Sequence, residues 1–174
     1  MDRRRAVASL VALAAAPGGA AAADPAGAKS TTAAPTVRPP GPRDLCPVCG
    51  MLVAKYPAWI AIVRLRGGDH RYFDGPKDLF KWLLDLPRYA PGVRRDDVVG
   101  ILVTEFYGLT LVDARSAHYV IGSDVLGPMG HELVPLADAA EAAEFIRDHR
   151  GKRVLRFDEV SRELTERLDR GRFD

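Results

Sequence analysis

The densest chemical signal in the chain is Cys46-Pro47-Val48-Cys49-Gly50-Met51, two thiols and a thioether within six residues. A C-x-x-C turn brings both sulfurs to one side, and Gly50 offers backbone angles that let Met51 swing back toward Cys49. Soft thiolate and thioether donors favour Cu(I), whereas carboxylate and carbonyl oxygens favour magnesium or calcium, so copper is the leading metal. Three other readings of the motif stand beside it. Structural zinc needs a second half, and the chain has neither another C-x-x-C nor an H-x3-5-H pair among His70, His118, His131 and His149. A thioredoxin-like redox pair sits at a helix N-terminus after a βα pattern, where the dipole lowers the thiol pKa; here the motif precedes the first expected strand. A plain Cys46–Cys49 disulfide would suit an oxidising compartment.

A second soft donor lies far along the chain in Gly127-Pro128-Met129-Gly130, followed at once by His131. Gly, Pro and Gly put Met129 in a turn and not on a periodic apolar face, so core filling, the usual use of Met, explains it less well. His131 could offer a ring nitrogen to the same metal, although a lone His at a strand start is more often solvated or hydrogen-bonded. His70, His118 and His149 are weaker candidates. Asp74 and Asp113 end expected strands, where a carboxylate caps the following helix or turn. Trp59, Trp82 and Tyr119 read as packing. No Ser/His/Asp order, paired-carboxylate acid motif or phosphate-cradling loop occurs, so the expectation is a binding protein and not an enzyme.

The elements that must position these donors are legible from periodicity. Trp59 to Leu65 alternates and is β-branched, Gly67-Gly68-Asp69 supplies a turn, and His70 to Phe73 resumes the extended pattern, which predicts a hairpin. From Gly75 the period becomes helical through Leu79, Phe80, Leu83 and Leu84, with Pro87 and Pro91 as the stop. Val98 to Thr104 is the next strand. The order then recurs: strands at Tyr119 to Ile121 and Glu132 to Leu136, a helix capped by Asp138 through Ala142, Phe145 and Ile146, and a strand at Val154 to Phe157. The reading is α+β, two ββαβ modules related by internal duplication, plus a C-terminal helix with Val160, Leu164 and Leu168 on one stripe.

With 47% hydrophobic and 28% charged residues in 174, the composition is that of a globular protein with one ordinary core. The N-terminal 23 residues read as a cleavable signal peptide: Arg3 to Arg5, an apolar run from Ala6 to Ala16, a Pro17-Gly18-Gly19 breaker and small residues to Ala23. That run is too short to span a bilayer, and no cysteine lies near the expected cut to carry a lipid anchor. Without those residues 22 basic side chains face 22 acidic ones, a balance that argues against nucleic acid as a partner. Residues 24–43, rich in Ala and Pro, read as a linker before a folded domain of residues 44–174.

Four segments, "CPVCGM" at 46–51, "YFDGPKD" at 72–78, "LVDARSAHYVIGSD" at 111–124 and "GPMGHELVPLAD" at 127–138, give the chain a strong resemblance to the NosL family. These are copper-binding accessory proteins of nitrous oxide reductase maturation. The resemblance covers nearly the whole folded region and implies a fold of two ββαβ modules, at about residues 52–106 and 107–160. It also implies Cu(I) held by Cys49, Met51 and Met129, with Cys46 matching a thiol common among members. The activity it implies is that of a periplasmic metallochaperone. Its expected partners are the copper ion and nitrous oxide reductase or the membrane-associated maturation complex. Many members resemble lipoproteins with an acylated N-terminal cysteine; here none is available. The alternative function, from the C-x-x-C motif alone, is a thiol-disulfide oxidoreductase.

Overall fold

Residues 37–174 are described by the computed structural model. The expected signal peptide and residues 24–36 of the expected linker lie outside the described residues. The last linker residues lie against the domain: Val37 packs on the core, and the Tyr72 hydroxyl donates to the Arg38 carbonyl at 2.8 Å.

The first ββαβ unit comprises β1 (Ala61–Leu65), β2 (His70–Phe73), α1 (Pro76–Leu84) and β3 (Val98–Thr104). β1 begins at Ala61 and not at Trp59 because Pro57–Trp59 takes a 3-10 turn, Pro57 having a fixed φ and no donor for a ladder. Pro87 does not stop α1. It sits in the first turn of a separate short helix, α2 (Leu86–Tyr89), where a missing N–H costs nothing. A strand that periodicity does not announce, β4 (Leu111–Asp113), adds to the free edge of β3, so the antiparallel sheet runs β2-β1-β3-β4. Three half-exposed residues are too few to show alternation.

The second unit opens with β5 (His118–Ile121). A small hairpin follows, β6 (Leu126–Gly127) and β7 (Gly130–His131), and then β8 (Val134–Leu136), α3 (Ala139–His149) and β9 (Arg153–Leu155). The strand expected from Glu132 is shorter at its start, because Glu132 leaves the ladder to make contacts elsewhere. The sheet order is β8-β5-β9, all antiparallel, so in both units the first strand is central, flanked by the second and third. Asp138 caps α3 as expected, accepting from Ala140 N at 2.8 Å and Glu141 N at 2.9 Å.

The last helix, α4 (Arg162–Asp169), is capped by Ser161 and lies on α1. The expected stripe of Val160, Leu164 and Leu168 is buried, and each fully buried aliphatic side chain contributes about 1.5–3 kcal/mol of apolar transfer. The main core is shared by the two units: Phe80 of α1 packs edge-on against Tyr119 of β5, with ring centroids 5.2 Å apart. Trp82 and Tyr119 are fully buried packing residues, and Trp59 is half-buried against the smaller cluster around Phe145. Antiparallel sheets with helices packed on them make the fold α+β. Among the described residues no helix is long and apolar enough to cross a membrane.

Candidate metal centre

The first half of the site is a closed loop before β1. A bridge between Leu45 and Leu52 draws its ends together, Cys46 N donates to Met51 O at 2.8 Å, and Gly50 N donates to Cys46 O at 2.9 Å. Gly50 sits at φ +78°, a left-handed conformation that a side chain would strain, and it reverses the backbone before Met51. Backbone N–H groups of Val48 and Cys49 are directed at the Cys46 sulfur, and that of Met51 at the Cys49 sulfur. Such donors favour an anionic sulfur. Both thiols are free, with no disulfide between them.

Facing the loop is the start of α1, which brings two carboxylates. The Cys46 thiol donates to Asp78 Oδ2 at 3.4 Å, and the Cys49 thiol donates to Asp74 at 3.3 and 3.4 Å to the two oxygens. One ligand-type atom from each of these four residues lies within 4.8 Å of the others, so each thiol is near both carboxylates. Cys46, Asp74 and Asp78 are buried and Cys49 is half-buried. Burial, first, and the carboxylates, second, push the Cys46 thiol far above its ordinary range and the Cys49 thiol up to about 12. Near neutral pH both thiols therefore keep their protons, and a metal held by them would displace those protons.

Asp74 and Asp78 are the residues the sequence reading missed. Asp74 was expected to cap the helix that follows it. The N-cap of α1 is Gly75 and makes no side-chain cap bond, and the Asp74 carboxylate is given to Cys49 instead. No periodic signal announces them, because Asp74 lies outside α1, before the extended Gly75, while Asp78 lies in its first turn. Asp113 keeps the expected turn role, accepting from Arg115 N at 2.7 Å.

Met129 lies where its flanking residues predict, at the tip of the turn joining β6 to β7, and it is 47% exposed. It lines the same open pocket of about 430 Å³ as Cys49 and Asp78, so a thiol and a thioether far apart in sequence face one opening. Cys46 lies buried behind this pocket. Met51 closes the loop through its carbonyl, and its half-buried side chain is not on the pocket lining. No histidine belongs to the four-residue group. The His131 ring packs edge-on against Phe173 with centroids 4.8 Å apart, His70 stacks on Tyr72, His118 meets Arg156, and His149 meets Asp124. The centre thus offers soft sulfur from Cys49 and Met129 and hard oxygen from Asp78 to one open pocket.

A family model described as NosL matches residues 38–165. A curated relative, "Copper-binding lipoprotein NosL" of Stutzerimonas stutzeri, is 31% identical over 127 residues, covering 70% of this chain and 64% of the relative. The chain therefore spans just under two thirds of that relative's length. Among solved structures, the copper chaperone NosL from Shewanella denitrificans superposes with a TM-score of 0.61 at 26% identity, covering 74% of this chain and 97% of that one. Both names describe copper proteins and neither describes an enzyme.

Proposed function

The chain belongs to the NosL family, and we propose that it is a carrier that binds one Cu(I) as cargo and releases it by ligand exchange, with no catalysis of its own. The observation that carries this reading is that Cys49 and Met129 line one open pocket. The proposed ligand set is Cys46, Cys49, Met51 and Met129, soft donors that suit a univalent copper ion. An accessible site lets an acceptor's ligands enter before the carrier's ligands leave, whereas a closed tetrahedral cage would hold the ion. As the family resemblance of its sequence implies, the protein is proposed to work after export to the periplasm. There it supplies copper for the centres of nitrous oxide reductase, directly or through a membrane-associated maturation complex. The equal strand orders of the two ββαβ units support reading the domain as an internal duplication, with modules near residues 52–106 and 107–160.

A thiol-disulfide oxidoreductase needs an attacking thiolate. With Cys49 pushed up to about 12, the thiolate fraction near neutral pH is too small for fast exchange, which works against that alternative. Anaerobic titration separates the two functions. A carrier takes up Cu(I) to about one equivalent and loses most of its affinity in Met51→Ala; an oxidoreductase keeps its activity in that variant and shows no stoichiometric uptake.

A further inference from the structure

We infer that Lys77 and Glu132 are positioning residues whose mutual grip sets the distance between the thiol half of the site and Met129. The inference rests on the reading of Cys49 and Met129 as joint copper ligands. Lys77 is fully buried on α1, and its ammonium reaches into the turn of the β6–β7 hairpin. There it donates to the carbonyls of Met129 at 3.1 Å and His131 at 2.8 Å, the residues on either side of Gly130. It also pairs with Asp169 of α4 at 3.1 Å. The grip is returned from the other side. Glu132, next along the chain from His131, sends its carboxylate back to the start of α1, where Oε1 accepts from Lys77 N at 2.6 Å and from Leu133 N at 2.9 Å.

The seat for that carboxylate is made of glycine. A methyl group on Gly75 would overlap the Glu132 carboxylate, and one on Gly127 would press on its stem, so both positions bear only hydrogen where Glu132 passes. Gly75 is extended, at φ −169°, and any residue adopts that conformation; the need for glycine there is one of space.

These contacts tie the α1 start to the hairpin tip through bonds in both directions. The α1 start is also the segment whose Asp74 and Asp78 hold the two thiols. Burying an ammonium and a carboxylate is expensive, and an apolar contact would join a helix to a hairpin at lower cost. What these polar bonds add is direction: the Lys77 ammonium fixes the carbonyls flanking Gly130, and the Glu132 carboxyl, which burial pushes up to about 8, accepts from the Lys77 amide, so the backbone that carries Met129 is held from both sides. An ion held by donors from two separate segments is bound more tightly when those segments are already in place.

The test is a double-mutant cycle on Cu(I) affinity, measured anaerobically on the full chain against a competing chelator: wild type, Lys77→Met, Met129→Ala and the double variant. Lys77→Met should weaken Cu(I) binding about 10- to 100-fold, as loss of the support behind a metal ligand does. The same change should add nothing once Met129 is alanine. Unchanged affinity in Lys77→Met, or losses that add in full, would overturn the inference. Gly75→Ala displaces Glu132 without deleting a polar group, and it carries the same criterion if Lys77→Met fails to fold. Unchanged affinity in Met129→Ala alone would remove the thioether from the site, and with it the reading on which the inference stands.

Discussion

The two ββαβ units start their helices in opposite ways. α3 is self-sufficient: Asp138 caps it from within, and Glu141 reaches back to Ala137 N at 2.9 Å. At the start of α1 the acidic residues are turned away, Asp74 to the Cys49 thiol and Asp78 to the Cys46 thiol. The buried first-turn amide of Lys77 is satisfied from the other unit by Glu132. Where a local rule is broken and the repair comes from a distance, the residues released are the ones available for chemistry. The start of α3 shows what the same architecture does where the helix start carries no site residue.

That contrast can be tested first by removing the partners of the diverted carboxylates. Oxidation to a Cys46–Cys49 disulfide should abolish Cu(I) uptake, and reduction should restore it, as read by anaerobic titration; uptake unaffected by oxidation would take the thiols out of the site. The proton inventory is the next largest effect. Because both thiols are raised, each one that binds copper gives up a proton, and affinity climbs with pH by about tenfold per unit for each proton released. Two thiolate ligands predict about a hundredfold per pH unit near neutrality, and a tenfold slope would remove Cys46 from the ligand set. The smallest effects lie in stability. Glu132→Ala leaves buried polar groups unpaired across two units and should cost about 3 kcal/mol in urea unfolding. Asp138→Ala removes an ordinary cap and should cost about 1 kcal/mol. Equal costs would erase the distinction between the two helix starts.

The sequence discloses what is local and periodic. The hairpin of β1 and β2, the strand Val98–Thr104, the Asp138 cap and the buried stripe of α4 follow from patterns that neighbouring residues share. The turn holding Met129 is legible for the same reason, since Gly and Pro act on their own backbone. What stays hidden depends on tertiary closure. Asp74 at a strand end looks like a cap, because nothing nearby reveals that a thiol 25 residues earlier will face it. Glu132 looks like a strand residue, because its partner lies 55 positions back at Lys77. β4 is too short to have a period of its own and exists only as an edge added to β3. The soft donors stand out by their chemistry; the carboxylates beside the thiols and the buried lysine do not.

X-ray absorption on the Cu(I)-loaded protein, with Met129→Ala beside it, tests most directly whether distant sulfurs share one ion. Sulfur neighbours alone around copper, with one fewer in the variant, is the result expected from Cys49 and Met129 acting together. An identical shell in both proteins, or oxygen from Asp74 and Asp78 in place of sulfur, would contradict it.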